Sequence, residues 1–133
     1  MVDLMEIHSA KLTTCDVTPD GETVRLNLKD VSGHPVSLLL PFDQAGALAM
    51  TLPGLLTKAL KASHNDNSAR YIYPLGGWLL EGVADCRALI VTLKTTDGFE
   101  VSFCAPLDRC RSLASALRRE SKQVAVTVPE RKN

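Results

Sequence analysis

Apolar and polar side chains alternate in two neighbouring stretches near the middle of the first half of the chain. Residues 23–29 alternate strictly, and residues 35–40 resume the alternation after a glycine turn at Gly33. A period of two is the signature of a β-strand that is covered on one face. The pattern therefore predicts a β-hairpin with one apolar face and one polar face.

The hairpin is followed by a change to helical periodicity. Asp43 comes directly after Pro41 and is predicted to cap the helix N-terminus. The apolar positions that follow are spaced i, i+3, i+4 and i+7. They are Ala45, Leu48, Ala49 and Leu52. The sequence predicts that Pro53 breaks or kinks this helix, because proline lacks the backbone donor that a helix interior needs.

The hairpin and its helix occur twice in the chain. Residues 24–52 align without a gap with residues 89–117, at a constant offset of 65. The matched positions include the structurally demanding ones: the turn glycine, the proline that ends the hairpin and the aspartate that begins the helix. These pairs are Gly33 with Gly98, Pro41 with Pro106, and Asp43 with Asp108. We interpret the match as a tandem duplication of one structural unit.

Further strands are predicted around the two hairpins. Residues 7–17 are rich in threonine and β-branched residues, and we expect one strand there. Before the second hairpin we expect a short strand over residues 71–73 and another over residues 78–85. Residues 124–128 alternate again and predict a last edge strand, or an arm that adds to the sheet of another chain.

These elements predict an α+β fold built as a tandem duplication. Each unit has three or four antiparallel strands and one helix, and the repeats span about residues 5–62 and 69–123, followed by a tail over residues 124–133. One helix does not cover such a sheet, so we expect the two units to pack on each other around a pseudo-two-fold axis, with both helices on β-sheet, as one domain.

Composition narrows the class of protein without naming a function. The 133 residues carry no net charge, which argues against a general binder of nucleic acid or of anionic membranes. The chain has four cysteines with no Cys-x-x-Cys pair, no N-terminal secretion signal and no apolar run long enough to span a membrane. We therefore expect a cytoplasmic protein with reduced cysteines and no membrane partner.

Motifs for catalysis, metals and phosphate are not found. The sequence has no nucleophile elbow, no metal-ligand spacing among its three histidines, and no glycine-rich phosphate loop. Cys110 precedes a helix and has arginine neighbours, an arrangement that lowers thiol pKa values, but it shares the apolar stripe of the helix, which favours burial. We expect a protein that is not an enzyme and that uses no cofactor or metal.

A basic cluster on the second helix is the most distinctive surface feature. Arg111, Arg118 and Lys122 fall at i, i+7 and i+11, with Arg119 alongside. The order of three strands and a helix, twice over, is similar to that of Whirly and Pur-type proteins. This resemblance in element order implies binding of single-stranded nucleic acid through a basic groove and stacking aromatic side chains. The aromatic candidates are Trp78, Tyr71 and Tyr73.

Three functions are consistent with these features. The first is a non-enzymatic interaction or regulatory module, working as a homodimer, because the polar faces of the hairpins are partly apolar at Leu39, Ile90 and Cys104. The second is the single-stranded nucleic-acid binder, using the four basic and three aromatic residues just named. The third is a small-ligand protein with a pocket between the two repeats.

Overall fold

Each half of the chain forms a three-stranded antiparallel sheet followed by one long helix. A computed structural model describes residues 3–127. In the first half, β1 (Ser9–Val17), β2 (Thr23–Asp30) and β3 (Pro35–Pro41) precede α1 (Phe42–His64). The sheet order is β1-β2-β3. The antiparallel hairpins follow from the short glycine-containing connections, since two strands joined by a tight turn must run in opposite directions.

The second half repeats this order. The strands β4 (Leu75–Val83), β5 (Ala88–Thr95) and β6 (Glu100–Pro106) precede α2 (Leu107–Thr127), and the sheet order is β4-β5-β6. A short 3₁₀ turn at Ala84–Cys86 connects the first two of these strands. The chain divides into two compact units, one up to Tyr71 and one from Ile72 onward. The predicted α+β fold with a duplicated unit is therefore confirmed. The packing of the repeats around a common axis stays a prediction.

The duplication extends to the bounds of the elements and to their hydrogen bonds. β5 and β6 begin and end 65 residues after β2 and β3. The first N–H of each helix reaches back to the connection before the central strand: Phe42 donates to the Glu22 carbonyl at 2.9 Å, and Leu107 donates to the Arg87 carbonyl at 3.2 Å. The offset that separates the helices also separates these two acceptors, so the same backbone contact begins both helices.

The two hairpin turns use different side chains for one task. Gly33 and Gly98 adopt φ values of 85° and 96°, which glycine tolerates without steric cost. Asp30 accepts from the N–H of His34 at 2.8 Å, and Thr95 accepts from the N–H of Phe99 at 3.0 Å. The N–H of His34 is the main reason why the pKa of Asp30 lies below its usual value. An oxygen at the same turn position therefore fixes both turns.

Repeated serines join strands on the polar face of each sheet, as a recurring mid-strand serine indicates. Ser37 donates its hydroxyl to the side-chain oxygen of Asn27, and Ser102 lies 2.8 Å from the hydroxyl of Thr92. Thr92 is only 6% exposed, whereas Ser37 is exposed. The same cross-strand bond is therefore shielded from water in the second unit and open to water in the first.

This difference in shielding gives a stability prediction. Ser102→Ala leaves the buried Thr92 hydroxyl without its partner, and we expect it to lower the free energy of unfolding by about 1–2 kcal/mol. Ser37→Ala removes the equivalent exposed bond, where water replaces the lost partner, so its effect should stay below about 0.5 kcal/mol. Urea unfolding of both variants measures the difference, and equal losses would contradict the prediction. The double variant Thr92→Val with Ser102→Ala should regain most of the loss.

Several predicted element bounds are wrong. Both helices begin one residue before the predicted cap, so Asp43 and Asp108 lie in the first turn, where their carboxylates accept from the next backbone N–H at 3.0 Å and 2.9 Å. The N-cap of α1 is Pro41, without a side-chain cap. The aspartates still oppose the positive helix end, since Asp43 and Asp108 are the acidic residues of the first turns.

The predicted break at Pro53 does not occur. α1 continues through it to His64 and ends with Asn65 in the left-handed conformation. Proline removes one backbone bond from a helix interior, at a cost of about 3 kcal/mol. The chain beyond Pro53 stays helical because it contributes half-buried positions at Thr57 and Leu60. Burial of this apolar side outweighs the lost bond.

The strands predicted at residues 71–73 and 124–128 are also wrong within the described part of the chain. Residues 71–74 have no regular structure, because the first strand of the second unit begins later, at Leu75. Val124 to Thr127 belongs to α2 and not to a separate tail or strand. No glycine or proline interrupts the sequence before Pro129, so the helix extends over these valines despite their β-propensity. Residues 128–133 lie outside the described residues.

Candidate interaction surface

An open apolar cleft lies between α2 and one face of the second sheet. Its volume is about 720 Å³. The strand side chains that line it alternate along each strand, so they all project from the same face. The lining residues from the strands are Leu75, Trp78, Leu80, Leu89, Val91, Leu93 and Ala105. The cleft is therefore the place where this unit would be expected to have its hydrophobic core.

The wall opposite the sheet is one stripe of α2. Cys110, Leu113, Ala114 and Leu117 recur at i, i+3, i+4 and i+7 and all line the cleft. Cys110 is half-buried and its thiol donates to the carbonyl of Ala105 at 3.5 Å, which agrees with the burial predicted for this cysteine. The helix is thus held by the sheet at its N-terminal turns, and its stripe faces the open part of the cleft.

The largest side chains of the cleft are poorly covered. Trp78 is 68% exposed, Leu113 is 56% exposed and Leu117 is 62% exposed. In the described residues of this unit only Ala88 and Thr92 are buried, and both are small. A folded domain of this size normally removes about 60% of its surface from water. Taken by itself, the second unit is therefore a sheet and a helix that leave an apolar surface in water.

The first unit leaves a comparable face uncovered. The pairing of its strands places nine apolar or thiol side chains on one side of the sheet. They are Leu12, Cys15, Val17, Val24, Leu26, Leu28, Val36, Leu38 and Leu40. Leu12 and Val17 on the edge strand are each 59% exposed, and Leu38 is 49% exposed. The incomplete core is therefore a property of the repeated unit.

Two arginines border the apolar cleft of the second unit. Arg109 and Arg111 are among its lining residues, on either side of the helical stripe. The residues that line the cleft include no carboxylate. Its rim is therefore positively charged, and an occupant with an apolar centre and negative charges at its margins would suit it.

A second, shallower groove lies along the outer side of α2. Its volume is about 410 Å³, and Arg118, Arg119 and Lys122 line it together with Ser115 and Gln123. Arg119 forms an exposed ion pair with Glu120, with a nitrogen–oxygen distance of 3.6 Å. Three of the four predicted basic residues therefore share one groove. The fourth, Arg111, lies at the apolar cleft.

The predicted aromatic residues do not join that basic groove. Trp78 lines the apolar cleft, and Tyr73 stacks on Phe99 with ring centres 5.4 Å apart. Tyr71 belongs to the first unit, where its backbone N–H donates to the hydroxyl of Thr57 at 3.2 Å. The single-stranded nucleic-acid hypothesis thus stays a prediction, with its cations grouped and its aromatic side chains elsewhere.

The sequence pairs Arg111 with the basic cluster, but the structure pairs it with Trp78, and it adds Arg109 and Leu113 to the same surface. The signal for this surface is present in the sequence. Leu113 and Leu117 recur with Leu48 and Leu52 at the offset of the duplication. What the sequence does not show is that the stripe extends beyond what its own sheet covers.

Other site types were sought in the described residues. Between residues 3 and 127 no group of three or more histidine, cysteine or carboxylate side chains is placed to hold a metal ion. Over the same residues, neither helix is long and apolar enough to cross a lipid bilayer. The histidine contacts to carboxylates, His8 with Glu6 and His34 with Asp30, are both 3.5 Å long and solvent-exposed.

No protein-family model, curated protein or solved structure matches this chain.

Proposed function

We propose that this protein is a non-enzymatic association module that works as a homodimer. The observation that carries the proposal is the uncovered apolar surface of each unit. Among the described residues no large hydrophobic side chain is fully buried. The free energy of folding comes mainly from burying such side chains, so a sheet and helix with this surface in water lack their main stabilising term.

The exposed area supports the same proposal quantitatively. The chain of 14.4 kDa exposes 11628 Å². Two separate folded domains of half that mass would together expose only about 8,200 Å². The excess is larger than the roughly 1,000 Å² that each partner needs for a stable permanent interface. A second copy is the simplest source of the missing cover, because every solution of the protein contains it.

The chemistry of the surface favours protein association over catalysis or nucleic-acid binding. The cleft lining is apolar except for the arginines at its rim, which is the composition of the centre and margin of a protein interface. Trp78 is exposed and belongs to a residue type that is enriched among the side chains contributing most to binding. We further propose a cytoplasmic location, since all four cysteines are free thiols, as a reducing compartment maintains them.

Light scattering on a gel-filtration column tests the proposal. We expect a mass of twice 14.4 kDa at micromolar concentration. A single species at 14.4 kDa would contradict it and would require the apolar surface to be covered in another way. Native mass spectrometry of the same sample measures whether any other molecule accompanies the protein.

A further inference from the structure

We infer that α2 of one copy lies antiparallel along α2 of a second copy, in the apolar cleft, with an ion pair between Arg109 and the second copy's Glu120 at each end. This inference rests on the proposed homodimer and specifies its interface. It requires a cleft that accepts a helix, an apolar stripe that fits it, and charges that fix the direction. Each requirement can be examined from α2 itself.

The cleft has the size of a helical segment. A helix about 10 Å wide that rises 1.5 Å per residue occupies roughly 120 Å³ per residue. A cleft of about 720 Å³ therefore accepts about six residues, or somewhat less than two turns. The exposed pair Leu113 and Leu117 spans five residues of α2. Reciprocal insertion of this segment covers both leucines in both copies, as a two-fold interface requires.

The charges of α2 favour an antiparallel pair. Arg109 and Glu120 are eleven residues apart, which is close to three full turns, so they lie on the same flank of the stripe at opposite ends. A two-fold rotation places that flank against its own copy and reverses its direction. When Leu113 faces the second copy's Leu117, Arg109 comes within one residue of the level of the second copy's Glu120. A parallel pair would instead place arginine beside arginine.

The opposite flank determines the tilt of the pair. Arg111 and Arg118 are seven residues apart and share that flank. They would approach their copies as like charges, which is unfavourable. We therefore place the Arg109–Glu120 flank inward and leave Arg111 and Arg118 towards water. In this arrangement Glu120 lies between Arg119 of its own chain, at 3.6 Å, and the incoming Arg109.

Charge reversal tests the inference without removing apolar contacts. Arg109→Glu and Glu120→Arg are changes at exposed positions, so folding should be retained, and circular dichroism checks this. Each single variant replaces two attractive pairs per dimer by two repulsive ones and should raise the dimer dissociation constant about tenfold. The double variant restores opposite charges and should return to within about threefold of the original value. Sedimentation equilibrium measures all three.

Lys122→Glu is the matched control, because it makes the same change of charge on the outer groove of α2 and should leave dimerisation unchanged. If Arg109→Glu has no effect, or if the double variant dimerises no better than the single ones, the inferred interface is wrong. If the unmodified protein still forms a dimer in that case, the proposed homodimer stands and uses another surface. If the unmodified protein is a monomer, both proposals fail.

Discussion

Leu113→Asp combined with Leu117→Asp should convert the dimer into monomers. Both leucines are more than half exposed in the single chain, so the substitution leaves little packing to lose within the unit. In the dimer it places four carboxylates in an apolar interface and removes four buried leucines. Burial of each leucine contributes about 1.5–3 kcal/mol. The dissociation constant should therefore rise at least about 1,000-fold, which light scattering shows as a shift in mass.

The control for this experiment is Val31→Asp. Val31 is 69% exposed in a hairpin turn and lies outside the apolar cleft, so the same chemical change there should leave the mass of the dimer unaltered. Far-ultraviolet circular dichroism separates loss of association from loss of folding. A Leu113 and Leu117 variant that stays helical and dimeric would show that the exposed stripe of α2 is not the contact between copies.

Gly76→Ala should destabilise the second unit more than any other single methyl addition to a glycine of this chain. A Cβ atom built at Gly76 would lie 2.9 Å from backbone atoms of Thr95 and Thr96. Backbone atoms cannot rotate away as a side chain does, so the strand or the turn must shift. We expect a loss of about 2 kcal/mol in the free energy of unfolding. The melting temperature should fall by several degrees.

Gly77→Ala is the matched control, because a Cβ at Gly77 meets no atom within 4 Å. Its effect should be within about 0.5 kcal/mol of zero. Gly76 is the extra residue of a β-bulge, and Ala10 occupies the equivalent bulge in the first unit. A methyl group is therefore compatible with the bulge as such. Equal melting temperatures for the two glycine variants would show that the Thr95–Thr96 turn yields at little cost.

The sequence predicts the central hairpin and helix of each unit well. Strict alternation identifies the strand positions of β2 and β3, and the turn glycines identify where the chain reverses. The offset of 65 then transfers both results to the second half, where the bounds of β5 and β6 follow. These features depend on neighbours in the chain, which is why a local pattern is enough to predict them.

The remaining element bounds depend on partners that are distant in the sequence. β4 begins at Leu75 because it pairs with β5 up to Thr95, and nothing in residues 71–77 shows that pairing. Pro53 stays helical because later residues of α1 are half-buried, which a local helix rule does not include. The cleft was missed for the same reason. Trp78 and Leu113 belong to separate elements, and only the folded unit places them on one surface.

The first strands of the two units retain their pairing although their side chains have diverged. Cys15 pairs with Leu26 and Leu80 pairs with Val91, again 65 residues apart, with a thiol in one strand where the other has leucine. Inserting or deleting one residue there would exchange the two faces of the strand. Natural variation in these strands should therefore preserve segment length while residue identity drifts. A distant homologue would be recognised by the spacing of its elements before it is recognised by its amino acids.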